Sequence, residues 1–221
     1  FRKDYGDIRA MMFMDQTLEE FIKNVNSKEL PGGGSISALT ALLGVGIGNM
    51  SFYLTEDKKS FKALDEKTQQ EIRSHVDRLT EIIEELKGKM VEDTKSFDSV
   101  LQAYKLPKET DEEKAYRKKM IADGYIIATE SPMSSARIMM EAMELVKQIA
   151  KYIDKYAITD LLASAYLLHS SMKSVMLNAK INMKQLGDSK KVADEITALE
   201  DKSEVLLREI EEVSYKKIGE V

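Results

Sequence analysis

The chain has 221 residues, enough for one large domain or two small ones with a substantial core, and its 33 basic and 38 acidic side chains give a net charge of -5. This mild acidity excludes the strongly basic surface typical of nucleic-acid-binding domains. The sequence contains no cysteine, which excludes disulfides, thiolate metal ligands and a cysteine nucleophile and makes a reducing cytoplasm the expected location. Only 3 prolines and 11 glycines, together with many Glu, Lys, Leu, Ala and Met residues, predict a mostly helical protein.

The N-terminus is interpreted as an extension covering residues 1–14, because Met11, Met12 and Met14 each look like a possible start. Its first ten residues are charged and lack the apolar core of a signal peptide. The remaining residues, 15–221, are expected to form one all-helical domain.

The first helix is predicted from a capping box, in which Thr17 is followed three residues later by Glu20. The helix should run from Leu18 to about Ser27. Its apolar stripe is expected to consist of Leu18, Phe21, Ile22 and Val25.

The most distinctive local feature is a run of three glycines, Gly32, Gly33 and Gly34, followed by Ser35. Glycines lack a Cβ atom, so they permit positive φ and close approach of a neighbouring group or ligand. Ser35 is a good N-cap and predicts the start of a second helix. The free N–H groups and positive dipole end of that helix would then lie at the glycines, where an anionic or carbonyl oxygen could bind.

No charged residue occurs between positions 30 and 55, and most of this stretch is expected to form the second helix, over residues 35–54. Its length suits a membrane span, but its glycines and polar residues give it a low mean hydropathy, so a helix at the centre of a bundle is favoured. Gly44 and Gly48 share one face, where small residues let another helix approach closely, such as one from a second copy of the chain.

Apolar residues at helical spacing predict a third helix from about Ser60 to Tyr104. It should end before Pro107, because a residue that precedes proline is disfavoured in a helix. A second capping box at Thr110 predicts a helix that ends near Thr129.

A new helix is predicted to start after Ser131, with Pro132 as its first residue, and to run to about Tyr152. Another helix should begin with Thr159 as its N-cap and extend to Leu186.

A charged last helix follows Gly187 and Asp188 and should end near Lys217. No strand-like alternation is present, and no segment is long enough to act as a linker between domains. The predicted fold is therefore an all-α, single-domain bundle of long antiparallel helices with a glycine-rich, apolar central helix.

Asp93 is the first candidate for chemistry, since it lies one turn from both Met90 and Phe97 on the third helix. If it points inward, desolvation raises its pKa and allows proton exchange near neutral pH. The alternative is a surface aspartate beside Lys89 and Lys95, which the residue pattern alone favours because aspartate is seldom buried unpaired.

Asn178 and Asn182 are spaced i, i+4, so both amides project from one face of a helix. They could present donors and acceptors to a heterocycle or form helix–helix hydrogen bonds, and the pattern does not decide between the two. Asp160 is most simply a first-turn residue favoured by the helix dipole. No helical His/Glu metal motif is present, so no metal site is expected.

Together these segments resemble the formiminotransferase-cyclodeaminase family: its cyclodeaminase part and the stand-alone relatives of that part, which include methenyltetrahydrofolate cyclohydrolases. The resemblance extends in order from Leu18 to Asp188. The segments that carry it are Pro31-Gly32-Gly33-Gly34-Ser35, Asp93 with Phe97, Lys105-Leu106-Pro107-Lys108 with Arg117, Pro132 with Thr159-Asp160-Leu161, and Asn178-x-x-x-Asn182 followed by Asp188.

The resemblance implies an all-helical subunit, usually dimeric, that closes the ring of 5-formiminotetrahydrofolate to 5,10-methenyltetrahydrofolate with loss of ammonia. The alternative on the same fold is hydration and opening of the methenyl ring. Either reaction implies a folate ligand, with or without a polyglutamate tail, and no cofactor beyond it. Neither nucleic acid nor a membrane is an expected partner. An alternative of another class is a non-catalytic helical scaffold or partner-binding bundle.

The resemblance also implies roles for particular residues, and it reverses the preference for a surface Asp93. Asp93 matches the family's catalytic acid and becomes the candidate proton shuttle. The substrate-binding candidates are Asp160, Asn178 and Asn182 for the pterin edge, Gly32, Gly33, Gly34 and Ser35 for the pocket floor, and Lys108 and Arg117 for the glutamate carboxylates, with Lys180 and Lys184 as rivals for the last role.

Overall fold

The computed structural model describes residues 13–28 and 31–219, over which the chain forms seven α-helices and no β-strand. Residues 1–12 of the expected extension, and Leu30, lie outside this range. Short 3₁₀ turns, Phe13–Asp15 and Met183–Gln185, precede the first helix and follow the sixth. The helices are α1 (Leu18–Val25), α2 (Gly33–Tyr53), α3 (Lys59–Lys62), α4 (Glu66–Tyr104), α5 (Asp111–Ala150), α6 (Ile158–Asn182) and α7 (Lys190–Ile218). The all-α prediction is confirmed.

Local capping interactions set several of the helix ends. Thr17 and Thr110 both form complete capping boxes, as predicted, at the starts of α1 and α5. The Asp65 side chain caps α4 by accepting a hydrogen bond from a backbone N–H of the first turn. Helix α4 ends at Tyr104, ahead of Pro107, as expected.

Two predicted N-caps are wrong, because the chain enters each helix earlier than the polar side chain suggests. Helix α2 has Gly32 as its N-cap, so Ser35 lies inside the first turn. Helix α6 follows Ala157, whose N–H already donates to the Asp154 carbonyl in a turn of helical conformation. Thr159 is therefore a helical residue and not a cap.

The predicted break at Pro132 is also wrong, since α5 passes through this proline as one helix of 40 residues. Proline lacks an N–H, so the Ala128 carbonyl has no donor from its own helix. The Asn182 amide on α6 supplies one, with Nδ2 donating to the Ala128 oxygen at 2.7 Å. A side chain from another helix thus satisfies the carbonyl that the proline leaves free.

The four long helices that enclose the core are α2, α4, α5 and α6. Helix α2 packs antiparallel to α6 at very short range: a Cβ atom on Gly48 would lie 2.7 Å from Ser164 Oγ, and one on Gly44 would lie 3.0 Å from Leu167 Cβ. The predicted close approach at the glycines therefore exists, with α6 of the same chain as the partner. The opposite side of α2, including Leu43, is exposed.

Helix α2 is long and apolar enough to cross a membrane by length and composition. In the bundle, 56% of its most apolar stretch is buried, as occurs for a core helix of a soluble protein.

Helix α7 lies on α5 and α6. Ile210 of α7 is fully buried on the inner face of this helix. Ion pairs join its outer edges to the bundle, with Arg137 on α5 contacting Glu195 at 2.6 Å and Lys173 on α6 contacting Glu204 at 2.7 Å. These pairs are partly exposed, so the apolar contacts dominate the docking of α7.

The bond that compensates for Pro132 can be tested by a double-mutant cycle. Asn182→Ala should lower the free energy of unfolding by about 1–2 kcal/mol, because the Ala128 carbonyl loses its donor. In a Pro132→Ala background the restored N–H can bond to that carbonyl, so the same change should cost clearly less. Urea denaturation of the four proteins measures the coupling.

Asn178→Ala is the control for this cycle, because Asn178 lies one turn before Asn182 and its side chain makes no hydrogen bond to another described residue. Its effect on stability should be the same in both backgrounds. Equal costs of Asn182→Ala with and without Pro132 would show that the amide does not replace the missing donor.

Candidate functional site

A cleft of about 300 Å³ opens where the N-terminus of α2 meets α4, α5 and the C-terminal end of α6. Its volume is at the lower end of the range for small-molecule sites. Six of the predicted catalytic and substrate-binding residues line this cleft: Gly32, Gly33, Gly34, Asp93, Asn178 and Asn182.

Asp93 is half-buried on α4 and faces the start of α2. Its Oδ2 accepts hydrogen bonds from the Ser35 N–H at 3.0 Å and from the Ser35 hydroxyl at 3.2 Å. The same hydroxyl lies 2.8 Å from the Met90 carbonyl, so its single proton is shared between two acceptors. Burial raises the pKa of Asp93, and the hydrogen bonds from Ser35 oppose this rise only in part.

Ser35 therefore has a different place from the one predicted for it. The residue is completely buried beneath Asp93, and its polar groups bond to that carboxyl and to backbone. It positions Asp93 and is not exposed to a ligand in the cleft.

Gly34 makes the approach of Asp93 possible. A Cβ atom at this position would lie only 2.0 Å from Asp93 Oδ1, well inside the closest contact that real atoms make. None of the three glycines needs a positive φ, and Gly32 has φ -90. The predicted anion site at this helix end is occupied by the protein's own carboxylate, while the N–H groups of Gly33 and Gly34 have no acceptor within the helix.

The two asparagines differ in how much of each amide a ligand can use. Asn178 is half-buried and lines the cleft, and its side chain makes no hydrogen bond to the described part of the chain, so both ends of its amide can face a ligand. The NH₂ group of Asn182 already donates to the Ala128 carbonyl, so its Oδ1 is the atom that can accept a hydrogen bond from a ligand.

Asp160 lies far from this cleft within one chain. It is in the first turn of α6, 18 residues before Asn178, which corresponds to about 27 Å along the helix. The structure thus places the two residues predicted to hold the same pterin edge at opposite ends of α6.

The predicted tail-binding residues lie beyond the end of the cleft where α4 terminates. Lys108 is exposed between α4 and α5. Arg117 donates to the Tyr104 carbonyl at 3.2 Å and stacks on the Tyr104 ring. Tyr104 lies about one helical turn after Leu101, which lines the cleft. Lys180, one of the rivals, is paired with Glu200 at 2.6 Å.

Several lining residues had not been assigned a contact with the ligand. Asp93, Phe97 and Leu101 follow one another at i, i+4 and i+8 on α4, so helical spacing alone could have extended the site beyond Asp93. Ile181 is likewise i+3 from Asn178 on α6, and Thr94 and Asp98 are i, i+4 on α4. Ala128 comes from a different helix, so only the packing of α5 brings it to the cleft.

Comparison with known proteins assigns the chain to a family. Residues 17–201 match the family described as formiminotransferase-cyclodeaminase. A methenyltetrahydrofolate cyclohydrolase of Methylorubrum extorquens is 28% identical over 84% of this chain and 88% of its own length.

Larger relatives match over only part of their length. The formimidoyltransferase-cyclodeaminase of Gallus gallus is 29% identical over 78% of this chain, but this match covers only 31% of the relative. A crystal structure of a formiminotetrahydrofolate cyclodeaminase from Thermotoga maritima superposes with a TM-score of 0.79 at 22% identity and covers 92% of this chain and 98% of that one. The chain therefore belongs to the formiminotransferase-cyclodeaminase family.

Proposed function

We propose that this chain is a folate one-carbon enzyme that cyclises 5-formiminotetrahydrofolate to 5,10-methenyltetrahydrofolate and releases ammonia. The observation that carries the proposal is the Asp93 carboxyl, which has a raised pKa and lies in a cleft with the free amide of Asn178. Members of the matched family are named for this ring closure and for the related cyclohydrolase reaction.

The reaction needs a proton to move between two nitrogens. N10 of the folate attacks the formimino carbon on N5, and the bond from that carbon to its amino nitrogen then breaks. Asp93 takes the proton from N10 as the new bond forms and gives it to the departing amino group, which leaves as ammonia. The substrate enters as the protonated formimino cation, and the positive charge remains in the methenyl ring.

The surroundings of Asp93 suit both halves of this transfer. Burial raises the pKa of Asp93, which makes its carboxylate a better base and brings the pKa closer to neutral pH. The hydrogen bonds from Ser35 hold the carboxyl in one orientation over the start of α2. Removal of either effect should therefore change the pH at which the shuttle works.

The cleft offers matching contacts for a flat, polar ring. Asn178 can both donate and accept, and Asn182 Oδ1 can accept, at the hydrogen-bonding edge of a pterin. Phe97 and Ile181 supply apolar walls. Arg117 is the better candidate for the glutamate carboxylates of the tail, because Lys180 is already paired with Glu200.

Methenyltetrahydrofolate cyclohydrolase activity is the second candidate. The Methylorubrum extorquens cyclohydrolase favours it, because the match covers nearly the whole of both chains. In that reaction water attacks the methenyl carbon and Asp93 takes one of its protons. The bond from that carbon to one ring nitrogen then breaks, Asp93 gives the proton to that nitrogen, and the second proton of the water is released to solvent. The choice between the two requires an assay with each folate.

We also propose that the protein works as a homodimer in the cytoplasm, with no cofactor beyond the folate and no nucleic-acid or membrane partner. The lack of cysteine supports the cytoplasmic location, and the net charge of -5 supports the absence of a nucleic-acid partner.

Asp93→Asn tests the proposed function directly. The variant should fold and bind folate but lose nearly all turnover, because an amide cannot carry the proton from N10 to the leaving amino group. Methenyl absorbance with 5-formiminotetrahydrofolate, and its decay with the methenyl compound, measures both candidate reactions. Asp98→Asn is the matched control, since Asp98 lines the same cleft without contacting Ser35, and it should retain turnover.

Full turnover of Asp93→Asn would remove this residue from the mechanism. Absence of both activities in the unaltered protein, with no shift of its melting temperature at millimolar tetrahydrofolate, would favour the non-catalytic scaffold.

Gly34→Ala should lower turnover by about a hundredfold, because the added methyl group would displace the Asp93 carboxyl by an ångström or more. Gly88→Ala is the control: it changes another helical glycine, with no heavy atom within 4 Å of the new methyl group. The control should keep full turnover and gain about 0.5–1 kcal/mol of stability. Equal turnover of the two variants would contradict the placement of Asp93.

Ser35→Ala should shift the acid limb of the kcat/KM profile to higher pH. The Ser35 hydroxyl lowers the pKa of Asp93, so its loss raises that pKa further, and the base form disappears at a higher pH.

Ser37→Ala is the matched control for this pH profile, because the Ser37 hydroxyl donates to the Gly33 carbonyl at 2.7 Å and does not contact Asp93. Its acid limb should stay in place. An unshifted limb in Ser35→Ala would mean that the hydroxyl serves only the Met90 carbonyl.

A further inference from the structure

Of the three prolines in the chain, Pro132 is the one that lies inside a helix. A proline in a helix interior is costly, because it removes a backbone hydrogen bond and its ring pushes against the carbonyl four residues earlier. Here that carbonyl belongs to Ala128, which lines the folate cleft, whereas Pro132 itself is buried behind the cleft wall. The gap in the hydrogen bonding of α5 therefore coincides with the wall of the site.

The free Ala128 carbonyl fixes the orientation of the Asn182 amide. Nδ2 of Asn182 donates to this oxygen at 2.7 Å. A half-turn of the amide would place Oδ1 against the same oxygen, and two acceptors with no proton between them repel each other at this distance. The NH₂ group is therefore held on the α5 side, and Oδ1 is the end that is left for the cleft.

Asn178 provides a comparison within the same helix. It lines the same cleft one turn earlier, and its side chain makes no hydrogen bond to the described part of the chain. Its amide can turn over and offer either a donor or an acceptor to a ligand. The cleft thus contains one adaptable amide and one amide whose hydrogen-bonding character is fixed.

A fixed acceptor selects ligands by the group that they present to it. A ring that offers an N–H group gains a hydrogen bond to Asn182 Oδ1. A ring that offers a carbonyl oxygen or an unprotonated nitrogen leaves two acceptors facing each other in a partly buried site, which is unfavourable. In a reduced pterin, N3 and the exocyclic 2-amino nitrogen both carry N–H groups, so this edge of the ring suits Asn182.

An ordinary residue at position 132 would change this selection from a distance. Its backbone N–H would donate to the Ala128 carbonyl, as in any α-helix. The Asn182 amide would then lose much of the interaction that distinguishes its two ends, and both orientations would be populated. Only the orientation with Oδ1 toward the cleft accepts from an N–H group, so the apparent affinity would fall with the population of that orientation.

We propose that Pro132 is a positioning residue that determines specificity in the folate site. Through the Ala128 carbonyl it holds the Asn182 amide as a hydrogen-bond acceptor for the N–H edge of the pterin. Pro132 does not line the cleft and acts only through Ala128 and Asn182. The identity of the ligand rests on the proposed function, whereas the orientation of the amide does not.

The orientation is tested without folate or turnover. Selective ¹⁵N labelling of asparagine gives five pairs of side-chain amide signals, which Asn178→Ala and Asn182→Ala assign: Asn24, Asn26, Asn49, Asn178 and Asn182. In the unaltered protein the NH₂ protons of Asn182 should exchange with water about tenfold more slowly than those of Asn178, because they are hydrogen-bonded. Pro132→Ala should remove most of this difference.

Pro132→Ala should weaken tetrahydrofolate binding by about three- to tenfold and raise KM by a similar factor, with kcat nearly unchanged. The contact between Asp93 and Ser35 stays in place, so the proton transfer is not altered. The variant should fold, because removal of a proline from a helix interior favours the helix. Isothermal titration calorimetry measures the affinity.

Ser135→Ala is the matched control for this change. Ser135 is buried about one turn after Pro132 on α5, and its hydroxyl donates to the Ser131 carbonyl at 3.2 Å. Ser135 does not line the cleft, so its loss should leave tetrahydrofolate affinity and KM unchanged.

Asn182→Asp distinguishes control of orientation from a merely structural effect of the proline. A carboxylate has acceptors at both ends and no donor. With Pro132 present it faces the free Ala128 carbonyl, so it should weaken tetrahydrofolate binding by about tenfold. In Pro132→Ala the carbonyl is already bonded and the carboxylate offers an acceptor in either orientation, so the double variant should bind at least as tightly as Pro132→Ala alone. An equal loss of affinity in both backgrounds would contradict the proposal.

The positioning role and the proposed function fail in different ways. If amide exchange of Asn182 depends on Pro132 but the unaltered protein neither binds nor turns over a folate, the orientation stands and the proposed function fails. If the unaltered protein turns a folate over and Pro132→Ala binds tetrahydrofolate as tightly, the positioning role is overturned, whatever the amide exchange shows.

Discussion

The contact between the Asp93 carboxyl and the first turn of α2 is the constraint on which the site depends. The carboxyl accepts hydrogen bonds from the backbone N–H and the hydroxyl of Ser35, and it fits there only because Gly34 has no side chain. This geometry places a partly desolvated acid at a helix N-terminus, where burial raises its pKa while the donors moderate the rise. A carboxyl held in this way can both accept and donate a proton, which is the property that ring closure on a folate requires.

Packing of the other helices keeps the start of α2 and the Asp93 region of α4 in place. Close packing of α2 on α6 at Gly44 and Gly48 fixes the position of the glycine-bearing helix end. The bond from Asn182 to the carbonyl freed by Pro132 ties the end of α6 to the middle of α5, at the wall of the cleft. The same asparagine therefore supports the fold and limits what the cleft can offer to a ligand, since only its Oδ1 is left for recognition.

Membership of the family explains why an all-helical chain has this isolated acid, but the described chain holds only part of the expected ligand set. Asp160 is separated from Asn178 by most of the length of α6, so the two side chains of one chain cannot contact the same pterin edge.

The sequence by itself determined the all-α class, the boxes at Thr17 and Thr110 and the end of α4 before Pro107, because each depends on interactions within a few residues. Helical spacing singled out Asp93 and the asparagines as candidates, and the family resemblance assigned them roles in the site. Only the tertiary structure decided that α5 continues through Pro132 and that Ser35 supports Asp93, since the donor and the carboxyl come from residues more than fifty positions away. Local patterns specify helices, whereas the burial of a charge and the satisfaction of a free carbonyl depend on which helices pack together.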